Sequence, residues 1–228
     1  MAPDSSSTFR QPERFPLLEV RALRYLDCGP FSFSLGRREC LAISGRSGVG
    51  KSQLFRALTD LIPFTGEVLL EELPCHLVQA PEWRKKVTMV PAESVWWYDE
   101  VGEHFAGHER HSEKLTGWLQ EFGFAADVLG WQVRRLSTGE KQRLALLRTL
   151  QYGPEVLLLD EPSSALDHAH TVKLESFVRE YQKIHAIGVI WVSHDPEQLK
   201  RVADRELRLE KESLTEIRNG RGQVMGET

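Results

Sequence analysis

The stretch that most constrains the fold of this chain runs from Gly45 to Ser52 and reads GRSGVGKS. It matches the pattern G-x-x-x-x-G-K-[ST], and it lies between an apolar run over 40–44 and an amphipathic stretch over 52–61. In that setting the backbone N–H groups of the loop turn toward phosphate oxygens at the positive end of a helix. A glycine turn without a ligand is the alternative, and the strand and helix on either side argue against it.

This phosphate-binding loop (P-loop) predicts a role for each of its polar side chains. Lys51 is expected to reach the β- and γ-phosphates of a nucleotide, and Ser52 is expected to offer its hydroxyl to Mg²⁺. The predicted nucleotide-binding residues of the loop are Gly45, Arg46, Ser47, Gly48, Val49, Gly50, Lys51, Ser52 and Gln53.

A second apolar run, over 156–159, ends in two carboxylates, Asp160 and Glu161. Asp160 is predicted to hold Mg²⁺ directly or through water, and Glu161 to polarise the water that attacks the γ-phosphate. Acidic pairs are also common in ordinary loops. The P-loop upstream is what makes the catalytic interpretation of Asp160 and Glu161 the favoured one.

Composition excludes several classes of function. The 228 residues carry a formal net charge of -4, so no basic excess points to nucleic acid as a partner. The three cysteines leave one unpaired in any disulfide scheme, which fits a reducing, cytosolic compartment. The longest apolar run, over 186–192, is far shorter than a membrane span needs. Any role at a membrane therefore requires a partner.

Apolar strands alternate with amphipathic helices along the chain, which predicts an α/β fold of the P-loop NTPase class with a mostly parallel core sheet. Period-2 segments over 17–35 predict an antiparallel β layer in front of it, and 94–137 is expected to form a small helical subdomain. The predicted ATPase domain spans 17–217. Residues 1–16 are expected to be disordered and 218–228 to form a flexible tail.

The segment Leu136 to Glu140 reads LSTGE and opens the helix that continues KQRLA. Ser137 as a plain helix cap is the simple interpretation. Together with the P-loop and the Asp-Glu strand, however, the segment resembles the signature of the ATP-binding cassette (ABC) ATPase family, which reads LSGGQ. Thr138 and Glu140 depart from that pattern. The resemblance covers roughly 17–210 of the chain.

The resemblance implies further sites. Ser137, Thr138, Gly139 and Glu140 would bind the γ-phosphate of a nucleotide held by a second copy, in a head-to-tail homodimer around ATP and Mg²⁺. The segment 163–167, ending at Asp167, looks like the family's D-loop, and His194 looks like its switch histidine. Tyr25 is placed like the aromatic that stacks on adenine, with a merely packed tyrosine as the alternative.

One family feature is missing. The strand over 87–91 should lead to a glutamine, but the expected position holds Ala92 or Glu93. Glu93 is predicted to contact the metal in its place. Trp96 and Trp97 follow, and two interpretations stay open for them: an exposed anchor for a membrane partner, or packing beneath the helical subdomain.

Two functions are consistent with these patterns. The first is an ATPase that powers transport through a permease on a separate chain, which would place it in the cytoplasm on the inner face of the membrane. The second is a soluble ABC-type regulatory switch. A P-loop kinase or small GTPase would leave 136–140 without a role. The short tails and the lack of a basic excess favour the transporter subunit, and the transported substrate and its direction would reside in the permease.

Overall fold

A computed structural model describes residues 16–107, 110 and 112–218 of the chain. Its strands are β1 (Leu18–Tyr25), β2 (Cys28–Leu35), β3 (Cys40–Ser44), β4 (Thr65–Leu70), β5 (Leu73–Pro74), β6 (Val87–Val90), β7 (Val156–Asp160), β8 (Gly188–Val192), β9 (Arg205–Leu209) and β10 (Leu214–Arg218). Its α-helices are α1 (Lys51–Leu58), α2 (Ala80–Lys86), α3 (Glu113–Glu121), α4 (Thr138–Leu150), α5 (His168–His185) and α6 (Pro196–Val202). Short 3₁₀ turns cover 75–77, 101–104, 126–130 and 133–135.

The larger sheet has the strand order β10-β9-β3-β8-β7-β6, and every pairing in it is parallel except that of β10 with β9. All residues of β7 and β8 are buried, as expected for apolar strands covered on both faces. The predicted parallel core is therefore confirmed. Because β3, β8 and β7 are neighbours, the loops at their carboxyl ends meet at one edge of the sheet, where α/β proteins bind ligands.

The smaller sheet is antiparallel, with the order β2-β1-β4-β5, and confirms the predicted β layer. Helix α1 contacts β1 of this sheet and also β6 and β7 of the larger one. Its side chains Leu54, Phe55 and Leu58 are fully buried between them. Burying each such side chain contributes about 1.5 to 3 kcal/mol to folding, so α1 holds the two sheets together.

Helix α1 ends earlier than the sequence predicts. The expected helix continued to Leu61, but the observed one stops at Leu58. The hydroxyl of Thr59 donates to the carbonyl of Phe55 at 2.8 Å, and Asp60 adopts a left-handed backbone with φ 55°. These two residues turn the chain out of the helix.

The insertion over 94–137 is less helical than predicted. It contains one α-helix, α3, and otherwise 3₁₀ turns and loops in its described part. Leu115, Leu119 and Phe122 are buried in the same apolar cluster as α4, which attaches the insertion to the core. None of the described helices is long and apolar enough to cross a membrane. The predicted loose ends lie outside the described residues, apart from Pro16 and Arg218, the last residue of β10.

Candidate nucleotide-binding site

A pocket of about 300 Å³ opens where β3, β7 and β8 end. Residues from the P-loop, the start of α1, the end of β7 and the loop after β8 line it together. The lining residues are Ser47, Gly48, Gly50, Lys51, Ser52, Gln53, Ala92, Asp160, Glu161 and His194. Tertiary structure thus brings the P-loop together with two motifs that follow it by more than a hundred residues, and we refer to this space as the phosphate pocket.

The P-loop prepares the pocket for an anion. Gly50 adopts φ 109° and ψ 15°, a left-handed backbone that favours glycine, and this turn starts α1 at Lys51. The first N–H groups of a helix have no partner within the helix and carry the positive end of its dipole. The first turn of α1 holds no acidic side chain that would compete with a bound phosphate.

Lys51 is buried and points back onto its own loop. Its Nζ donates to the carbonyl oxygens of Gly45 at 2.8 Å and Arg46 at 3.1 Å. Burial lowers the pKa of the Lys51 ammonium, while the negative charges of Glu161 and Asp160 oppose that effect. The ammonium is therefore held at the pocket wall with both carboxylates close enough to act on it.

Asp160 and Glu161 differ in environment although they are adjacent. Asp160 ends β7 and is only 4% exposed. Glu161 follows with a left-handed backbone, φ 50°, and its Oε2 accepts a hydrogen bond from the backbone N–H of His194 at 3.2 Å. The ring Nε2 of His194 lies 3.2 Å from Oε1 of Glu161. Burial raises the pKa of Glu161 and His194 acts in the opposite direction, so the carboxyl is a base stronger than an ordinary glutamate.

Tyr25 does not offer its ring to a base in this structure. It is 1% exposed, its ring packs near Phe31 with 5.8 Å between centroids, and its hydroxyl donates to the carbonyl of Gly50 at 3.2 Å. Burial also raises the pKa of its phenol. The prediction of an adenine platform is corrected to the packed alternative, because a ring enclosed on both faces has no surface left for stacking. The hydrogen bond from the Tyr25 hydroxyl to Gly50 instead supports the backbone of the P-loop.

The signature residues lie outside the phosphate pocket of their own chain. Ser137 caps α4, where its hydroxyl accepts from the N–H of Glu140 at 3.3 Å and donates to the Glu140 carboxylate at 2.7 Å. The N–H of Ser137 also donates to that carboxylate, and these bonds lower the pKa of Glu140. The simple cap interpretation of Ser137 therefore holds in this structure, with Glu140 closing a reciprocal capping box.

The remaining signature and D-loop residues have structural contacts as well. A Cβ at Gly139 would lie 2.8 Å from the carbonyl oxygen of Ala165, so only glycine fits where α4 meets the D-loop. Thr138 is exposed in the first turn of α4. Asp167 caps α5, where its Oδ1 accepts from the N–H of His170 at 2.8 Å.

The loop after β6 contributes one residue to the phosphate pocket and exposes the next. Ala92 lines the phosphate pocket, whereas Glu93 is exposed and is not among the lining residues. The structure therefore places Glu93 outside the pocket that Ser52 and Asp160 line, which argues against the predicted contact of Glu93 with the metal.

Trp96 and Trp97 differ in exposure. Trp96 is partly buried and packs against the core, while Trp97 is 61% exposed. The guanidinium of Arg148 lies over both rings, 4.6 Å from the centre of Trp96 and 4.8 Å from that of Trp97. His104 contacts both rings edge-on. Trp96 thus follows the packed interpretation, while Trp97 is exposed and its role as an anchor stays a prediction.

Comparison with known proteins places these features in one family. The family model described as ABC transporter matches residues 28–164, more than half of the chain. The chain belongs to the ABC transporter family. The resemblance carried by the P-loop, the Asp-Glu strand and the signature is thereby confirmed, and ATP is the nucleotide that this ABC chain binds and hydrolyses.

Two relatives show how far the similarity extends. The probable iron export ATP-binding protein FetA of Escherichia coli is 31% identical over 210 residues, covering 87% of this chain and 93% of the relative. The aliphatic sulfonates import ATP-binding protein SsuB 2 of Frankia alni is 34% identical over 184 residues, covering 80% and 71%. By name, one relative is an ATP-binding protein of iron export and the other an ATP-binding protein of sulfonate import.

A bacterial Atm1-family ABC exporter with ATP bound has a similar solved structure, with a TM-score of 0.75 and 25% identity. It covers 86% of this ABC chain, which spans only 37% of the exporter chain. The structure of cbiO1 from Clostridium perfringens, part of the ABC transporter complex cbiONQ, has a TM-score of 0.71 at 24% identity and supports the fold. The predicted α/β fold is confirmed by both.

Sequence reasoning missed two residues of α4 that hold the loops around the site. Gln142 is 4% exposed on α4 and hydrogen-bonds to the loops that carry Ala92 and Glu161. Arg148, two turns further on, donates from Nη1 to the carbonyl of Val95 at 3.0 Å. A polar residue on the buried face of an otherwise amphipathic helix is the signal that could have marked them.

Proposed function

We propose that this chain hydrolyses ATP to power transport through a permease on a separate chain, and that it works as a head-to-tail homodimer with ATP between the copies. The observation that carries the proposal is the position of the signature. Ser137 and Thr138 are exposed at the start of α4, and among the described residues they do not line the phosphate pocket of their own chain. A second copy would supply a phosphate for this helix N-terminus to bind.

Within one copy, the residues of the pocket divide the reaction between them. Lys51 and the free N–H groups of α1 bind the β- and γ-phosphates and neutralise their charge. Glu161 accepts a proton from the attacking water while the water oxygen forms a bond to the γ-phosphorus. The bond from that phosphorus to the β–γ bridging oxygen breaks, and ADP leaves. His194 holds Glu161 in place through its backbone N–H and lies beside the carboxylate.

The pocket also fits Mg²⁺. Ser52 and Asp160 both line it and present oxygen atoms, which are the ligands that Mg²⁺ takes. Among the described residues, no three His, Cys, Asp or Glu side chains gather to form a metal site of their own. That fits a cation that is held by one or two protein oxygens together with substrate phosphates. Bound there, Mg²⁺ would supply neutralisation of phosphate charge.

The surface for the permease is proposed to be the loop after β6. Val95, Trp97 and Tyr98 are 70%, 61% and 51% exposed and form one aromatic-rich apolar surface. Aromatic residues of this kind are enriched at energetically important protein contacts. Through this contact the chain would lie on the cytoplasmic face of the membrane. The net charge of -4 offers no basic excess for binding nucleic acid.

The dimer is tested with Glu161→Gln, which keeps the pocket but removes the base. We expect light scattering after gel filtration to show a dimer with ATP and Mg²⁺ and a monomer with ADP. The double variant Lys51→Ala/Glu161→Gln is the control and should remain monomeric with ATP. A Glu161→Gln protein that binds ATP but stays monomeric would contradict the proposed ATP-bound dimer.

The permease is tested by affinity purification from membranes. We expect wild type to recover a polytopic membrane protein and Trp97→Ala to lose it. A soluble regulatory ATPase would recover no such protein.

A further inference from the structure

We infer that Gln142 is a positioning residue for ATP hydrolysis, which joins the loop after β6 to the backbone of Glu161 and to the D-loop. The inference rests on the proposed chemistry at Glu161 and names a residue that governs it. Gln142 lies on α4, five residues past the capping serine, and does not line the phosphate pocket itself among the described residues. Its effect therefore passes through the groups to which it is bonded.

The side-chain amide of Gln142 is fully engaged. Its Nε2 lies within hydrogen-bond distance of three acceptors, the Oγ of Ser164 at 2.8 Å and the carbonyl oxygens of Ala92 and Glu161 at 3.3 Å each. Its Oε1 accepts from the N–H of Ala165 at 3.1 Å. An amide nitrogen carries only two hydrogens, so three acceptors share two donors. A shift of one loop changes the hydrogen bond that the others receive.

Glu161 depends on such support. A left-handed backbone, φ 50°, is unfavourable for a residue with a side chain and persists only where neighbours hold it. The N–H of Glu161 donates to the carbonyl of Val192 at 3.0 Å, and its own carbonyl accepts from Gln142. The two bonds lie on either side of the strained residue. Loss of the Gln142 bond would let the backbone relax and move the carboxylate that activates water.

The same helix holds the other end of the loop after β6. Gln142 donates to Ala92 at the pocket, and Arg148 donates to Val95 at the surface, at 3.3 Å and 3.0 Å. The exposed aromatic surface and the catalytic loop are thus both attached to α4. Gln142 therefore transmits a movement of the loop after β6 to Glu161.

A purely structural role for Gln142 predicts a different result. A buried amide that only fills space would affect stability and leave the turnover of the folded enzyme unchanged. A positioning role predicts a fall in kcat with little change in ATP affinity, because phosphate binding by Lys51 and α1 does not involve Gln142. The chain offers a matched control in Gln182, a glutamine on α5 that is also 4% exposed and does not line the phosphate pocket.

The experiment compares Gln142→Leu with Gln182→Leu in steady-state ATPase assays, with melting temperature and binding of a fluorescent ATP analogue measured alongside. We expect Gln142→Leu to lower kcat about 10-fold or more while KM and ATP affinity stay within about 3-fold. Gln182→Leu should keep kcat within about 2-fold at a comparable melting temperature. A folded Gln142→Leu with wild-type kcat, or with the same loss as Gln182→Leu, would overturn the inference.

Gln142→Glu supplies a second measurement, which decides the question if the leucine variant does not fold. An ionised carboxylate still accepts from Ala165 but cannot donate to Ala92 or Glu161, whereas its protonated form has one O–H to donate. The ratio of variant to wild-type kcat should therefore lie below one near neutral pH and rise as pH falls, and a ratio of one at every pH would reject the positioning role. Wild type without ATPase activity would instead refute the proposed chemistry itself.

Discussion

The guanidinium of Arg148 lies 4.6 Å above the centre of the Trp96 ring. Arg148 lies in the last turn of α4, and Trp96 lies in the loop that follows β6. Burial lowers the pKa of Arg148, yet an arginine stays charged, so its charge is stabilised by the ring faces of Trp96 and Trp97 and by its bond to the Val95 carbonyl. Arg148 covers both rings, but only Trp96 is partly buried against the core, whereas Trp97 is 61% exposed.

The two tryptophans should therefore respond differently to substitution. We expect Trp96→Ala to lower the free energy of unfolding by about 2 to 4 kcal/mol, because it removes a partly buried ring and the support of Arg148. Trp97→Ala should change it by less than about 1 kcal/mol, because most of that ring is exposed. Urea denaturation of both variants measures the difference, and equal losses would contradict the separation of the pair.

His104 makes the stability of this loop depend on pH. Its Nε2 accepts from the N–H groups of Trp97 and Tyr98 at 3.0 and 3.1 Å, while Nδ1 lies 3.1 Å from the carbonyl of Glu100 and must donate to it. The ring is therefore neutral in this arrangement. Burial, with the charge of Arg148, lowers the pKa of His104, and the Glu100 carbonyl and the Glu103 carboxylate oppose that shift.

Because the folded pKa of His104 is lowered, its contribution is complete above the ordinary histidine pKa of about 6.5 and is lost as pH falls from there through the folded pKa. We expect the melting temperature of wild type to fall more between pH 8 and pH 5 than that of His104→Gln, whose amide oxygen accepts the same N–H groups without titrating. Identical pH slopes for the two proteins would show that His104 does not titrate on unfolding.

Lys51→Ala should weaken ATP binding by about 10- to 100-fold, because a charge-assisted hydrogen bond to phosphate is worth about 1.5 to 3 kcal/mol. Titration with a fluorescent ATP analogue measures the loss. Lys183→Ala, which removes an exposed lysine on α5, is the matched control and should bind as wild type does. Equal affinity of the two variants would remove Lys51 from the nucleotide site.

The raised pKa of Glu161 predicts the acid limb of the ATPase profile. The base works only when deprotonated, so kcat should fall with decreasing pH at values above the ordinary glutamate pKa of about 4.3. His194 lowers the pKa of Glu161, and His194→Ala should therefore move the limb to higher pH. A limb that stays at the wild-type position in His194→Ala would show that the histidine side chain does not act on Glu161.

Glu140→Gln tests the departure from the family signature. The Glu140 carboxylate holds the Ser137 hydroxyl at 2.7 Å and places a negative charge where the proposed dimer would bind phosphate. Glutamine keeps the length and removes the charge, so we expect about 3- to 10-fold tighter ATP-dependent dimerisation of the Glu161→Gln protein, at a cost of less than about 1 kcal/mol in stability. Analytical ultracentrifugation measures the change, and weaker dimerisation would reject this role for Glu140.

Contiguous motifs determined much of this protein from sequence alone. The GRSGVGKS stretch specifies its loop and the start of α1 because glycine conformations and unpaired helix N–H groups are properties of neighbouring residues. The apolar strands specified a parallel sheet, and a parallel sheet places the ends of β3, β7 and β8 at one edge. Lys51, Asp160 and His194 follow these strands and line one pocket. The role of His194 was implied by the family resemblance and not by the strand pattern.

Packing between distant segments decided the rest. Gln142 and Ala92 are 50 residues apart, and Arg148 and Val95 are 53 apart. Which residues meet across such distances depends on how α4 lies against β6, and no local pattern encodes that angle. The enclosure of Tyr25, the exposure of Glu93 and the separation of the two tryptophans likewise follow from the burial of neighbouring surfaces, which is set only when the whole chain has packed.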